Sequence, residues 1–222
     1  IHAQEAAHLT LDDVTLQTPG NQRTLVQKLS IAIKPGEGLM IVGQSGSGKS
    51  SLLRAIAGLW QSGSGTIYRP PPGDIFFLPQ QPYMLIGSLR AQLLYPNNDT
   101  SIGDEQLLEV LEKVNLTELA SRFGGLDLEL DWEKVLSVGE QQRLAFARVL
   151  LARPRFAILD EATSALDPAN EAALYRKLQE TGTTLVSVAH RSSILKYHTQ
   201  VLELTGNCGW ATHPASRYRF SQ

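Results

Sequence analysis

Eight consecutive residues, Gly43-Gln44-Ser45-Gly46-Ser47-Gly48-Lys49-Ser50, satisfy the pattern G-x-x-x-x-G-K-[ST] at every fixed position. The chemistry this pattern serves is the binding of a polyphosphate. Glycines let successive backbone N–H groups curl into an anion nest, and the N-terminus of a following helix adds partial positive charge. Lys49 supplies a point charge for the β- and γ-phosphates. The Ser50 hydroxyl supplies a ligand for Mg²⁺, whose other ligands come from phosphate, water and one more side chain. The nucleotide-binding residues expected on this ground are Gly43, Gln44, Ser45, Gly46, Ser47, Gly48, Lys49, Ser50 and Ser51. A glycine-rich turn matches the pattern by chance in roughly one chain in a hundred of this length, so the reading needs an acidic partner for the metal.

Phe156-Ala157-Ile158-Leu159-Asp160-Glu161 supplies that partner: an apolar strand ending in two carboxylates, where a parallel sheet keeps its binding crevice. Asp160 is expected to hold Mg²⁺ through its water shell. Glu161 is expected to face a water in line with the γ-phosphate and to act as general base. The bland alternative, two solvated acids at a strand end, does not explain why they accompany a phosphate loop.

The elements around these residues have an α/β pattern. Leu39 to Val42 forms a short buried strand and Ser50 to Ala57 a helix closed by Gly58, so the loop is a strand-to-helix turn. Upstream, His8 to Gln17 is a strand with a slip at Asp12-Asp13, expected as a bulge, and Leu25 to Ile33 is a second strand. These form an antiparallel layer. Short strands follow at Thr66 to Tyr68 and Ile75 to Leu78. Ser88 to Phe123 is mainly helical, interrupted by the loop Tyr95-Pro96-Asn97-Asn98, with Leu107, Leu108, Leu111, Val114 and Leu116 at helical spacing. The second half alternates helix 139–152, strand 156–159, helix 169–180, strand 184–188, a short helix after Arg191 and strand 200–204, the order of a parallel sheet. The fold class is thus a phosphate-loop α/β core with a parallel sheet, an N-terminal antiparallel β layer and a helical subdomain inserted over about 86–150. All 222 residues are assigned to one domain.

Bulk properties exclude several classes. A net charge of -2 with an isoelectric point near 6.2, and basic residues scattered along the chain, give no footprint for nucleic acid. One cysteine, Cys208, cannot make an internal disulfide and fits a reducing, cytosolic compartment. No apolar run reaches the ~18 residues that a membrane span needs. The first residue is Ile1 and not Met, so a fragment of a longer protein is expected.

Leu136-Ser137-Val138-Gly139-Glu140-Gln141-Gln142-Arg143, just before the Asp160-Glu161 strand, resembles the signature motif of ABC-transporter ATPases. Gln80, in Leu78-Pro79-Gln80-Gln81-Pro82, resembles that family's Q-loop glutamine. Ser164-Ala165-Leu166-Asp167 resembles its D-loop, and His190 its switch histidine. The resemblance spans about residues 9 to 204. Asp131-Trp132-Glu133, Pro82-Tyr83-Met84 and Gly58-Leu59-Trp60 make it similar to subfamily D, the peroxisomal fatty-acyl and lysosomal cobalamin half-transporters with their bacterial relatives. The resemblance implies ATP and Mg²⁺ as ligands. Gln80 would join Ser50 and Asp160 in the metal and water shell, and His190 would contact the γ-phosphate. Ser137, Gly139 and Glu140 would act toward the nucleotide of a second, head-to-tail copy, so that a dimer holds two ATP. It also implies N-terminal membrane helices as partner and a place on the cytoplasmic face of a membrane.

The family signature is usually Leu-Ser-Gly-Gly-Gln, whereas Val138 and Glu140 stand here. A glutamate aimed at a triphosphate repels it, so Ser137-x-x-Glu140 is read as a capping box. No aromatic follows the first strand in Leu16-Gln17-Thr18-Pro19 to stack on adenine, so weak discrimination between ATP and GTP is expected. Asp167 before Pro168 is both a helix cap and a D-loop residue. Arg143 and Arg148 are expected on a solvated face, Trp60 and Trp132 as packing anchors, and His2, His8, His198 and His213 without a role. The alternative reading is a soluble ABC ATPase of the translation or DNA-repair type. Those carry two such domains or a long coiled coil, and neither is present. A small-molecule kinase would have no need of the signature motif.

Overall fold

The computed structural model describes residues 1–97 and 99–220, apart from the Asn21 side chain. Asn98, in the expected 95–98 loop, lies outside the described residues. In chain order the strands are β1 (His2–Glu5), β2 (Leu9–Gln17), β3 (Thr24–Ile33), β4 (Gly38–Gly43), β5 (Gly63–Arg69), β6 (Ile75–Leu78), β7 (Ile86–Ser88), β8 (Glu129–Asp131), β9 (Phe156–Asp160), β10 (Thr184–Val188), β11 (Gln200–Gly206) and β12 (Gly209–Pro214). The helices are α1 (Lys49–Ala57), α2 (Leu89–Leu94), α3 (Asp104–Lys113), α4 (Leu119–Arg122), α5 (Trp132–Val135), α6 (Val138–Ala152) and α7 (Pro168–Glu180). They fall into two compact units. The first comprises Ile1–Phe77, Pro154–Glu161 and the described residues from Gly182 onward; the second comprises Leu78–Arg153 and Ala162–Thr181.

The first unit carries the phosphate loop. One sheet has the order β12-β11-β4-β10-β9-β6, with β11, β4, β10 and β9 parallel and β12 antiparallel to β11. The middle strands β9 and β10 are buried at every residue, as strands covered on both faces must be, and this is why they read as continuous apolar runs. A second sheet has the order β1-β5-β2-β3. Its bulge falls where expected: the β2 register shifts between Leu11 and Val14, and Asp13 is left-handed with φ 49. The shift keeps Leu9, Leu11, Val14 and Leu16 all buried. These residues join Leu52, Leu53 and Ile56 of α1 and Leu39, Ile41, Ile158 and Val186 in one core.

Two strands in this unit had no sequence signal. β1 is a parallel partner of β5 with all four residues exposed, so no buried face imprints a period on it. β12 turns the tail after Cys208 into a hairpin with β11.

The second unit is built on α6, against which α2, α3 and α7 pack. Phe146 of α6 and Tyr175 of α7 place their rings 6.4 Å apart. The short antiparallel pair β7–β8 is held by Trp132, which is fully buried and donates from Nε1 to Gly87 O at 2.7 Å. Arg148 corrects its sequence assignment to a solvated face: it is 3 % exposed. Its guanidinium donates to Gln92 O at 2.7 Å, Tyr83 O at 2.8 Å and Gln92 Oε1 at 2.9 Å. Burial lowers its pKa to about 10, and the three acceptors offset part of that cost. Among the described residues, no helix is long and apolar enough to cross a membrane.

Candidate nucleotide site

The loop leaves β4 at Gly43, where only glycine fits. Its φ is 145, and a Cβ there would lie 2.6 Å from Leu204 O and 2.9 Å from Ser47 Oγ. Gly48, with φ 100, turns the chain into α1. At the other end of α1, Gly58 is left-handed, and Leu59 N–H reaches Arg54 O at 2.7 Å, the Schellman closure expected of a C-terminal glycine. The Lys49 ammonium folds over its own loop, donating to Gly43 O at 2.8 Å and Gln44 O at 2.9 Å. Burial depresses its pKa, while the carboxylates of Glu161 and Asp160 pull it back up. Ser51 follows in the first turn of α1.

At the end of β9, Asp160 Oδ1 accepts a hydrogen bond from Ser50 Oγ at 2.9 Å. Burial raises the Asp160 pKa above the usual carboxylate range; the Ser50 bond opposes this and the Glu161 charge adds to it. A cation beside Asp160 would relieve that cost. The donor set of one hydroxyl and one carboxylate is what Mg²⁺ uses when phosphates and water complete its octahedron. Among the described residues no group of three or more His, Cys, Asp or Glu is placed to cage an ion.

Glu161 breaks from the strand with φ 51, a left-handed conformation that costs a non-glycine residue of order 1 kcal/mol. Its N–H is held by Val188 O at 3.1 Å, at the end of β10. His190 lies just past that strand, and its Nε2 is 2.8 Å from Glu161 Oε1. The two strand ends therefore deliver the carboxylate and the imidazole to one place. The first unit thus brings together Lys49, Ser50, Asp160, Glu161 and His190.

Gln80, Ser137, Gly139 and Glu140 lie in the second unit. The capping box forms as the spacing requires: Ser137 N–H donates to Glu140 Oε2 at 2.8 Å and Glu140 N–H to Ser137 Oγ at 3.2 Å. Asp167 caps α7, its Oδ1 accepting from Ala169 and Asn170 N–H at 3.0 Å each. A residue absent from the sequence expectations connects these loops. Gln142, 1 % exposed, donates from Nε2 to Gln80 O at 3.0 Å and Ser164 Oγ at 3.2 Å. Its Oε1 accepts from Ala165 N–H at 3.0 Å. One amide thus ties the Gln80 loop, the Ser164–Ala165 loop and α6. The available signal was its position: Gln142 stands on the same α6 stripe as the buried Ala145, Phe146 and Val149, where a polar residue must find partners.

The sequence profile of the ABC transporter family matches residues 26–164. The chain belongs to the ABC transporter family. It is an ATP-binding, ATPase domain of that family. It is 56 % identical to an ABC transporter ATP-binding protein of Synechocystis sp., with 94 % of this chain and 32 % of the relative covered. It is 45 % identical to ABC transporter D family member 2, chloroplastic, of Arabidopsis thaliana, covering 89 % and 34 %. It is 42 % identical to the lysosomal cobalamin transporter ABCD4 of Homo sapiens, covering 90 % and 35 %. The D-family resemblance read from the motifs therefore holds. The fold matches a bacterial Atm1-family ABC exporter solved with ATP bound, at TM-score 0.77 and 23 % identity, covering 91 % of this chain and 39 % of that one. The chain spans about a third of the length of the curated relatives it matches.

Proposed function

We propose that this ABC ATPase domain hydrolyses ATP between two head-to-tail copies of itself, and that hydrolysis powers transport by membrane helices carried N-terminal to it in a longer half-transporter. On this reading residues 1–222 are one domain with a helical subdomain over about 86–150. It works at the cytoplasmic face of a membrane, and each dimer holds two ATP. The observation that carries the reading is the cluster in which Ser50 bonds Asp160 at 2.9 Å while His190 meets Glu161 at 2.8 Å, both beside Lys49.

The loop amides and Lys49 hold the phosphates, with Lys49 exchanging the carbonyls of Gly43 and Gln44 for phosphate oxygens. Ser50 and Asp160, with Gln80 as the resemblance assigns it, would hold Mg²⁺, which would supply positive charge to offset that of the triphosphate. Glu161 takes a proton from water. The water oxygen forms the new bond to the γ-phosphorus as the bond to the bridging oxygen breaks, releasing ADP and phosphate. With its proton on Nε2, His190 donates to Glu161 Oε1, which orients the base, and the resemblance assigns the imidazole a contact with the γ-phosphate. Ser137 and Gly139 of one copy contact the nucleotide of the other. Phosphate release from Mg-ATP tests the assignment: Glu161→Gln should slow it about 10²-fold or more, the usual scale for a general base. Near-normal turnover in that variant would remove Glu161 from the role.

A further inference from the structure

Glu140 is a negative charge in the first turn of the helix that presents Ser137 and Gly139, the turn where an anion is otherwise favoured. Its carboxylate is fully engaged. One oxygen accepts from Ser137 N–H at 2.8 Å and the other from Arg122 Nη1 at 2.8 Å. Ser137 Oγ accepts from Glu140 N–H at 3.2 Å, which fixes the hydroxyl at the head of α6. Arg122 is braced in turn: its guanidinium carbon sits 4.6 Å over the Phe123 ring, and Phe123 meets the buried Trp132 edge-on at 5.4 Å. Arg122, Glu140 and Arg143 line a cleft of about 390 Å³ beside the signature turn. The ion pair therefore rests on a fixed aromatic support.

We propose that Arg122 is a positioning residue for ATP hydrolysis: by pairing with Glu140 it cancels the charge that would oppose a triphosphate at Ser137 and Gly139, and so allows a glutamate in the signature. The inference rests on the two-copy reading above. Arg122 touches no nucleotide in this scheme. It acts through Glu140, so the consequence of removing it depends on whether Glu140 keeps its charge.

The test is phosphate release at saturating Mg-ATP for the wild-type chain, Arg122→Ala, Arg122→Lys and the double variant Arg122→Ala/Glu140→Gln, with fluorescent-ATP affinity and thermal melting of each. Like charges brought together cost enough that Arg122→Ala should slow hydrolysis about 10-fold, while ATP affinity of its intact phosphate loop stays within about twofold. Arg122→Lys should retain most activity. Adding Glu140→Gln to Arg122→Ala should restore hydrolysis to within about threefold of wild type, although it removes the second half of the pair and cannot restore a melt lost with Arg122. A double variant as slow as Arg122→Ala, or an Arg122→Ala protein at full rate, would overturn the proposal. Failure of the two-copy reading shows separately, on the wild type alone, as a specific activity that does not rise with protein concentration, and it would overturn the proposal with it.

Discussion

The two units treat their buried polar groups in opposite ways. Around the phosphate loop they are held short of satisfaction. Lys49 is desolvated and bonded to its own loop. Asp160 is pushed toward its neutral form, Glu161 sits in a left-handed conformation, and the buried Ser47 Oγ has no hydrogen-bond partner among the described residues. In the second unit the buried polar groups are closed. Gln142 makes three bonds, Arg148 makes three, and Thr163 donates to Glu171 at 2.6 Å. A site completed by a ligand leaves its charges unmatched until the ligand arrives. A scaffold that presents loops must be complete beforehand, because a half-satisfied buried network is worse than an apolar core.

Removing Lys49 should have the largest effect and should separate binding from stability. Charge-assisted bonds to phosphate are worth roughly 1.5–3 kcal/mol, so Lys49→Ala should weaken ATP binding by up to about 10²-fold in a fluorescence titration. The melting temperature without nucleotide should hardly fall, since the ammonium is itself desolvated. Loss of folding in Lys49→Ala would break the contrast between the two units.

The reverse split is expected for Arg148. Arg148→Met removes the donor to the carbonyls of Tyr83 and Gln92 and leaves Gln92 Oε1 with the Leu85 N–H alone, which should cost about 2 kcal/mol in urea unfolding, with ATP affinity retained. An unchanged unfolding midpoint would show that the network is dispensable.

A smaller effect tests whether the frustration in the first unit is confined to the site. His198 is buried there with Nδ1 2.9 Å from Ile194 O and Nε2 3.0 Å from Ser187 Oγ, and burial lowers its pKa to about 4. The folded chain keeps His198 neutral while the unfolded chain protonates near 6.5. Its contribution is therefore intact above pH 6.5 and is lost as pH falls toward 4. Between pH 7 and pH 5 the wild type should lose on the order of 1 kcal/mol more stability than His198→Gln. Parallel pH profiles for the two proteins would contradict a neutral, structural histidine.

What the sequence made legible is what local chemistry forces. Gly43 and Gly48 sit at dihedrals and approaches that other residues resist, the apolar runs of β4, β9 and β10 follow from burial on both faces, and Ser137 with Glu140 closes a cap three residues wide. Asp160 and Glu161 were readable because they end an apolar run. What stayed hidden depends on partners far along the chain. Gln142 is polar on an apolar stripe, but its bonds go to residues 62, 22 and 23 positions away. Arg148 read as solvated because a basic residue on a helix usually is, and only the fold brings Gln92 and Tyr83 to it. His198 lacked context for the same reason. β1 and β12 carry no buried alternation for a period to reveal. The expected weak preference between ATP and GTP rests on the lack of an aromatic near Thr18, and turnover with both nucleotides measures it.

Light scattering of the Glu161→Gln protein with and without Mg-ATP tests most directly whether two copies close on ATP. Blocked hydrolysis should trap the closed pair, so the account predicts a doubling of mass that requires both ATP and Mg²⁺. ATP bound at full occupancy with the mass of a single copy would contradict it.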